Sequence, residues 1–535
     1  MQSSRIGSGK SRTPRSAAGA ALASAAALAL LGATTSMPAS GQTAWMTAVH
    51  QSALGAPLPY SIQYALGTIP AKVPANELDL NLSGILQTVN QVGPTTTANN
   101  AFFQSLGTNG RSCATCHQPP NGMGVSVLNV RTRYLLTLAH DPIFAPVDGA
   151  NCPSQVPVNL TSPAPSGGLR GLLAAITSLP AISDPKNPYS VVLNRGAFRI
   201  FLPWPPKDPA TGNPITPEIT IKVLSDPTKC ETDPNYGLSS ATPVVSVYRR
   251  PLISTNLKFV TAQPGNIMWD GREPSLESQA TNATLGHAQA AQAPTAAQVA
   301  QIVAFENALY SAQVYDVAAH GLQALGATGG PASLVTDPVV LFNVGTVPVF
   351  TEYGSWATLP GTAEAAAARE SVARGEAIFN TRTFTIAGVE GFNDVAAGGQ
   401  PVPGNCASCH NSPHSGHDSF PGAEHDLGEA GDSAAALPAP DLPLFQITCT
   451  TGNLPFSSTN TVTLHDPGVA LVSGKCADVG KFKVGQLRAL AARAPYFHDG
   501  SAADLGAVVD FYNRRFAIGY TAQERTDLIN FLRTL

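Results

Sequence analysis

The sequence predicts a mainly α protein of two tandem domains, with long loops rich in glycine and proline and a few short strands. The first observation is a repeated pentad, which reads Cys-Ala-Thr-Cys-His at 113–117 and Cys-Ala-Ser-Cys-His at 406–410. A similar stretch precedes each pentad, at 100–107 and 374–380, and predicts the same short helix in both halves. The 48 glycines and 45 prolines, frequent at 141–215 and 386–475, predict the long surface loops.

Each pentad has the spacing of a covalent c-type haem site. Two thiols one helical turn apart can form thioethers with the haem vinyl groups, and the adjacent histidine can bind the iron. A thioredoxin-type redox motif and a zinc site built from both cysteine pairs are the alternatives, but neither explains two paired histidines. The predicted haem-binding residues are two cysteine pairs and two iron ligands: Cys113, Cys116 and His117 in the first site, and Cys406, Cys409 and His410 in the second.

The two halves are therefore predicted to be cytochrome c-like haem domains. About 490 residues after a leader exceed what one compact core holds. The predicted boundaries are 42–330 for the N-terminal domain, 331–362 for a linker and 363–535 for the C-terminal domain. Hydrophobic periodicity predicts helices at 296–321, 363–379, 505–511 and 521–535, the last with a Thr-x-x-Glu capping pattern. Short strands are predicted at 219–224 and 244–248.

The N-terminus has the layout of a secretory signal. Arg5, Lys10, Arg12 and Arg15 precede an apolar stretch at 17–31 and small residues up to Gly41. Residues 1–41 are predicted to be a cleaved signal peptide of a soluble periplasmic protein, with an uncleaved anchor as the alternative. Because this segment holds four basic and no acidic residues, cleavage takes the formal net charge from −4 to −8. That charge argues against nucleic acid as a partner.

Four cysteines lie outside the pentads. Each half holds two of them, and export implies an oxidising compartment, so disulfides Cys152–Cys230 and Cys449–Cys476 are predicted. The alternative is that one or more remain free and buried.

Two further regions carry a family resemblance. The first is Ile-Met-Trp-Asp-Gly-Arg at 267–272, followed by Ser-Leu-Glu-x-Gln-Ala at 275–280. The second is Asp-Val-Gly-Lys-Phe-Lys at 478–483, then Leu-Arg at 487–488 and Ala-Pro-Tyr-Phe-His-Asp-Gly at 494–500. Together with the pentads, they resemble the bacterial di-haem cytochrome c peroxidases and their relative MauG. The alternative is a di-haem electron carrier of another family.

The resemblance implies a division of labour. The haem at His117 would react with peroxide or dioxygen, and the haem at His410 would take in electrons. Trp269 would lie between the haems and assist the transfer, while Arg272 and Arg488 would bind propionates or brace the interface. The implied partners are peroxide or dioxygen and a small periplasmic electron donor, either a cytochrome c or a cupredoxin. A homodimer is compatible with this arrangement.

The first departure from the family concerns proton transfer. Family peroxidases place a glutamate twenty residues after the tryptophan, where this chain has Gln289, and an amide cannot act as a general acid or base. Gln289 and Trp269 are thus the candidate catalytic residues of the resemblance. His287 is a nearby substitute for the missing carboxyl group.

The second departure concerns the sixth ligand of the second haem. Fourteen residues after the histidine of the last motif, family peroxidases have methionine and MauG has tyrosine; this chain has Tyr512. No methionine follows Met268, so a local His/Met haem is excluded. Tyr512 is the predicted iron ligand. The alternatives are four histidines of the C-terminal half: His414, His417, His425 and His465.

Three other expectations follow. Family members bind calcium near the proline that Pro495 matches, so calcium between the domains is expected, although Arg493 replaces an oxygen-bearing residue. The histidines around His410 also invite a zinc or copper site. The segment between Cys116 and Trp269 is longer than in simple peroxidases. In having such added segments, the chain resembles the haem-dependent rubber oxygenases, related di-haem proteins that cleave polyisoprene with dioxygen.

The sequence therefore predicts a periplasmic di-haem c-type oxidoreductase, peroxidase- or MauG-like, that activates peroxide or dioxygen at the N-terminal haem. The competing hypotheses are a haem-dependent oxygenase of an organic substrate and a non-catalytic electron-transfer cytochrome.

Overall fold

The computed structural model describes residues 63–64, 67–161, 179–209, 211–262, 267–431 and 433–535. The predicted signal peptide lies outside these residues. Within them, helices and strands are interspersed along the whole chain, so the fold is mixed α and β rather than mainly α. No helix in the described ranges is long and apolar enough to cross a bilayer.

The α-helices are, in chain order, α1 Val127–Thr137, α2 Val158–Thr161, α3 Ser190–Arg195, α4 Leu257–Val260, α5 Leu276–Gly286, α6 Ala296–Asn307, α7 Ala366–Thr381, α8 Asn393–Ala396, α9 Ala470–Ser473, α10 Leu505–Arg515 and α11 Ala522–Leu532. The strands are β1 Lys72–Val73, β2 Asn76–Asn81, β3 Gly84–Asn90, β4 Thr95–Thr96, β5 Phe198–Pro203, β6 Ile219–Ser225, β7 Val244–Arg249, β8 Leu309–Asp316, β9 His320–Gly321, β10 Phe384–Ile386, β11 Val402–Gly404, β12 Glu424–His425, β13 Leu444–Cys449, β14 Thr461–Leu464 and β15 Phe482–Lys483.

Several local predictions are confirmed. The helix at the C-terminus starts at the predicted capping box, in which the Thr521 hydroxyl accepts from the Glu524 amide at 3.1 Å. Strands β6 and β7 match the predicted strands within one residue. The disulfides Cys152–Cys230 and Cys449–Cys476 are both present, with Cα–Cα distances of 5.1 and 5.5 Å.

The predicted helix at 296–321 is wrong in its second half. Helix α6 ends at Asn307, and Leu309–Asp316 forms β8, which lies between β3 and β9 in a four-stranded antiparallel sheet. The first five residues of β8 are all buried because the strand is central and covered on both faces. A short apolar run of this kind does not distinguish a buried strand from a buried helix.

The two predicted halves share a sheet. Strand β6 from the N-terminal half pairs antiparallel with β13 from the C-terminal half, and β14 completes the sheet. A buried ion pair lies beside it, in which Arg249 Nε is 2.7 Å from the Asp466 carboxylate. The halves are therefore joined through backbone hydrogen bonds and a common apolar core as well as through the covalent chain.

Residues 331–362, predicted to be a linker, supply large side chains to the C-terminal core. Phe350, Tyr353 and Trp356 are buried there with Phe379 of α7 and Phe531 of α11. The Phe350 and Phe531 ring centroids are 5.6 Å apart. This packing holds α7 and α11 against the turn that carries the second pentad.

Candidate functional site

The two pentads adopt the same local structure. Each begins with one turn of 3₁₀ helix, at Cys113–Thr115 and at Cys406–Ser408. In both, the carbonyl of the first cysteine accepts a hydrogen bond from the amide of the histidine. The His117 amide donates to the Cys113 carbonyl at 2.9 Å, and the His410 amide donates to the Cys406 carbonyl at 3.0 Å. The predicted repeat is thus present at the level of backbone hydrogen bonds.

Both histidines are held in the same tautomer. His117 Nδ1 is 2.8 Å from the Met123 carbonyl oxygen, and His410 Nδ1 is 2.7 Å from the Gly416 carbonyl oxygen. A carbonyl oxygen only accepts, so Nδ1 carries the hydrogen in each ring and Nε2 keeps its lone pair. Burial lowers the pKa of both imidazoles, which further favours the neutral form that binds metals.

A large cavity lies beside the first pentad. Its empty space is about 1320 Å³, and its walls include Cys113, Cys116 and His117. Most of the remaining lining is apolar, from residues of α4, α5, α6 and the segment 251–253. Apart from the pentad residues, the charged or titratable side chains in its walls are Arg111, Asp148, Arg249, Arg250, Arg272, His287 and Glu306.

A second cavity lies beside the other pentad. Its empty space is about 1470 Å³, and its walls include Cys406, Cys409 and His410. Aromatic side chains from α7, α10 and the segment 496–498 line it, and Tyr512 is among them. Each pentad therefore faces its own apolar chamber.

Trp269 lines both cavities. Its indole Nε1 donates to the Arg250 carbonyl at 2.7 Å, and its own carbonyl accepts from the Lys483 amide at 2.9 Å. These two bonds fix the ring between the N-terminal and C-terminal halves. Trp269 is thus part of the wall that the two chambers have in common, together with Leu252 and Ile253.

The residues present fit two covalently attached haems. All four pentad cysteines are free thiols, whereas the other four cysteines are paired in disulfides. Each free pair lies with its histidine on the wall of a chamber whose lining is apolar, as a haem requires. The alternative of one zinc site formed by both cysteine pairs is excluded, because the pairs line different cavities.

Sequence comparison agrees with this geometry. Cytochrome-c peroxidase IdrP1 of Pseudomonas sp. (strain SCT) is 32% identical over 144 residues, covering 24% of this chain and 36% of that protein. Cytochrome-c peroxidase IdrP2 of Denitromonas iodatirespirans is 32% identical over 141 residues, covering 25% of this chain and 36% of that protein. The chain spans little more than a third of the length of the curated relatives it matches. No family model matches.

The chain is a distant homologue of the di-haem cytochrome c peroxidases. Among solved structures, a MauG-like protein associated with microbial copper homeostasis aligns over 54% of this chain and 73% of its own, at 21% identity and a TM-score of 0.30.

The structure does not bring Gln289 into the first cavity. The side chain is exposed and absent from the cavity wall, while its carbonyl accepts from the Thr108 hydroxyl at 3.0 Å. The offset from Trp269 that located residue 289 spans α5 and the loop after it, and this loop turns the side chain to solvent. Residue 289 therefore does not lie on the wall of the first cavity, where its offset from Trp269 predicted it.

His287 lines the first cavity instead. Its Nδ1 bonds to the carboxylate of Asp148, which is fully buried and also bonds to Arg111. Burial by itself would raise the pKa of Asp148, but the Arg111 guanidinium and His287 hold it below its ordinary value. Sequence reasoning missed Asp148 and Arg111, which lie 139 and 176 residues before His287 in the chain.

Glu306 is a further polar group on this wall that sequence reasoning missed. It lies near the end of α6, it is 5% exposed, and its Oε2 has no hydrogen-bond partner in the described part of the chain. Burial raises the pKa of Glu306 to about 8, so the carboxyl group is protonated at neutral pH. A glutamate on the apolar face of an otherwise regular helix was the only signal in the sequence.

The two predicted propionate-binding arginines differ in position. Arg272 lines the first cavity, but its Nη1 is 2.8 Å from the carboxylate of Asp270. Arg488 lines neither cavity; it is 1% exposed and pairs with Glu352, while its Nε bonds to the His414 carbonyl. Arg488 therefore does not reach either cavity, and its charge is balanced by the Glu352 carboxylate.

Tyr512 faces the second cavity from α10. Its ring centroid is 6.4 Å from that of His410, and burial together with nearby Glu429 raises the pKa of its phenol. Of the four alternative histidines, only His425 lines this cavity, and its Nε2 is 2.9 Å from Asp418. The described residues contain no cluster of three or more metal-ligating side chains, so the histidines around His410 do not converge on a zinc or copper site.

Proposed function

We propose that this chain is a periplasmic di-haem oxidoreductase that reduces peroxide or dioxygen at the first cavity with electrons relayed from the second. The observation that carries the proposal is the pair of chambers, each with its own Cys-Cys-His set, which share a wall that contains Trp269. Haem iron, when bound at His117, would supply the redox centre at which the oxidant reacts. Side chains of this chain would carry out the proton transfer and the electron transfer.

His287 would move the proton. Asp148 accepts the Nδ1 hydrogen, which leaves Nε2 free to accept or donate a proton at the cavity wall. Arg111 holds Asp148 in place and also bonds to the Pro142 and Ile143 carbonyls, each at 2.7 Å. This chain of contacts fixes the imidazole, as an aspartate does behind a catalytic histidine.

The electron would cross through aromatic side chains. Trp269 lies edge-on to His498, with ring centroids 6.3 Å apart, and His498 stacks on Phe482 with centroids 4.0 Å apart. His498 and Phe482 both line the second cavity. Of these three rings, Trp269 lines both cavities, so it would be the ring that the electron crosses, and its indole hydrogen bond holds it in place.

The proposal extends to the partners. A small periplasmic electron donor, a cytochrome c or a cupredoxin, would reduce the second haem. The apolar lining of the first cavity favours a second candidate function, an oxygenase that admits an apolar organic substrate beside dioxygen.

One experiment separates these functions. The purified protein, first shown by intact mass to carry two haems, is reduced and then mixed with hydrogen peroxide or with dioxygen in a stopped-flow spectrometer. Reoxidation of both haems by peroxide, without loss of dioxygen, supports the peroxidase function. Consumption of dioxygen together with formation of an oxygenated product from an added apolar substrate supports the oxygenase. No reaction with either oxidant would leave an electron carrier and contradict the proposal.

A further inference from the structure

Two guanidinium groups between the cavities have no carboxylate partner. Arg250 lines the first cavity and Arg493 lines the second. No ion pair among the described residues includes either side chain. By contrast, the other arginines on the wall of the first cavity are each paired with a buried aspartate: Arg111 with Asp148, Arg249 with Asp270 and Asp466, and Arg272 with Asp270.

Both arginines are held by backbone carbonyls. Arg250, which is 5% exposed, donates from Nη1 to the Arg195 carbonyl and from Nη2 to the Val125 and Arg493 carbonyls, each at 2.6 Å. Arg493 Nη2 donates to the Gln486 carbonyl at 2.7 Å. Carbonyl oxygens satisfy the N–H groups but do not neutralise the charge. Burial lowers the pKa of Arg250 to about 9 and that of Arg493 to about 10.

The same place in the chain is where the resemblance implied calcium. Pro495 matches the family proline, but the carbonyl of Arg493, two residues earlier, accepts from the Arg250 guanidinium. Calcium needs several oxygen ligands and would be repelled by a guanidinium bonded to one of them. The residues present therefore do not fit calcium at this position.

We propose that Arg250 and Arg493 replace calcium as the cation between the two haems, with Arg250 binding a propionate of the first haem and Arg493 a propionate of the second. A buried charge without a counter-charge is strongly unfavourable, and both arginines belong to the walls of the cavities that would hold the haems. Of the five N–H groups of each guanidinium, Arg250 uses three and Arg493 uses two in bonds to backbone carbonyls, and the remaining N–H groups can donate to a carboxylate. Propionate carboxylates are thus the anions that complete both pairs.

The hydrogen bond from Arg250 to the Arg493 carbonyl joins the two proposed propionate-binding residues. It joins Arg250, the residue after β7, to Arg493 of the C-terminal half, which is 243 residues later in the chain. The two propionates would consequently be tied to one rigid group at the interface between the halves.

The test measures the reduction potential of each haem in the purified holoprotein. A haem gains negative charge on reduction, so a nearby cation favours the reduced state. Arg250→Gln should weaken reduction of the first haem by about tenfold in equilibrium constant, which is about 59 mV for a one-electron couple. Arg493→Gln should do the same at the second haem. Haem content is measured first by the pyridine haemochrome assay.

Matched variants control for structural damage. Arg250→Lys and Arg493→Lys keep the charge and should restore most of the potential, whereas loss of packing alone would not be rescued in this way. Arg525→Gln removes an arginine of an exposed ion pair with Asp510 and should change neither potential. If one glutamine variant fails to fold, the variant at the other position gives the same measurement for its own haem.

Calcium provides the second arm of the test. Addition of calcium chloride, or of the chelator EGTA, should leave both spectra and both potentials of the wild-type protein unchanged. A shift with either reagent would overturn the proposal, because calcium would then occupy the interface. Unchanged potentials in folded, haem-replete Arg250→Gln and Arg493→Gln would also overturn it. The proposed function itself fails separately, if wild-type protein carries two haems but does not react with peroxide or dioxygen.

Discussion

The contact between His287 and Asp148 gives the sharpest prediction about turnover. His287→Gln removes the proton-carrying imidazole but keeps a polar side chain of similar length. The side chain is 38% exposed, so the change should cost little stability. General acid–base assistance is worth about 10²–10⁴-fold, and we expect peroxide reduction to fall at least about 100-fold.

Asp148→Asn tests the same contact from the buried side. The Asp148 and Arg111 side chains are 1% and 3% exposed, so the substitution leaves a buried guanidinium without its counter-charge. Removing one partner of such a pair costs about 3–5 kcal/mol. The Arg111 bonds to the Pro142 and Ile143 carbonyls remain, which favours the lower end of that range. We therefore expect a loss of activity like that of His287→Gln, together with a clear fall in melting temperature.

The assay combines steady-state peroxide reduction across pH with thermal melting of the haem-replete proteins. The wild-type rate should exceed that of His287→Gln at every pH tested, because a glutamine amide cannot move a proton. A wild-type rate and pH profile in the His287→Gln variant would refute the reasoning. Loss of activity only in Asp148→Asn would show that the pair serves stability rather than proton transfer.

Four further predictions concern neighbouring residues. Because Gln289 is exposed and outside the cavity wall, Gln289→Glu should leave peroxide reduction unchanged, and a gain of tenfold or more would restore the role that the sequence predicts for it. The pKa of Glu306 is raised by burial to about 8, above its unfolded value, so its neutral form stabilises the fold at low pH and this contribution is lost as pH rises from about 4.5 to 8. In Glu306→Gln, the free energy of unfolding should therefore decline less over that window, by on the order of a few kcal/mol, and an identical decline in denaturant titrations would contradict the buried-acid assignment. Trp269→Phe should retain both haems but slow reoxidation of the second haem by peroxide in stopped-flow traces; an unchanged rate in a folded variant excludes the relay role. Tyr512→Phe should shift the spectrum and potential of the second haem if the phenol binds iron, and unaltered spectra would mean that the ring only packs in the cavity.

Features that depend on residues close together in the chain could be predicted from the sequence. The pentads could be recognised because thioether formation and iron ligation involve residues within one helical turn, and the structure shows the same turn twice. The capping box at Thr521 is local for the same reason. The disulfides followed from compartment and cysteine count, which needed no knowledge of the fold. Trp269 was singled out through the resemblance, and the structure shows only that it lies between the cavities.

Contacts between distant segments decided the remainder. Whether residues 309–316 form a helix or a strand depends on β3 and β9, which are hydrogen-bonded to them on either side in the sheet. Residue offsets from Trp269 could not show that a loop turns Gln289 outward while His287 meets Asp148, 139 residues away. The charge balance of Arg250 depends on which carboxylates share its chamber, and the order of residues along the chain does not contain that information. The sequence by itself determined the two Cys-x-x-Cys-His motifs, because their residues are adjacent in the chain. The tertiary structure decided which side chains line the cavities beside them, because burial and electrostatic pairing depend on distance in space.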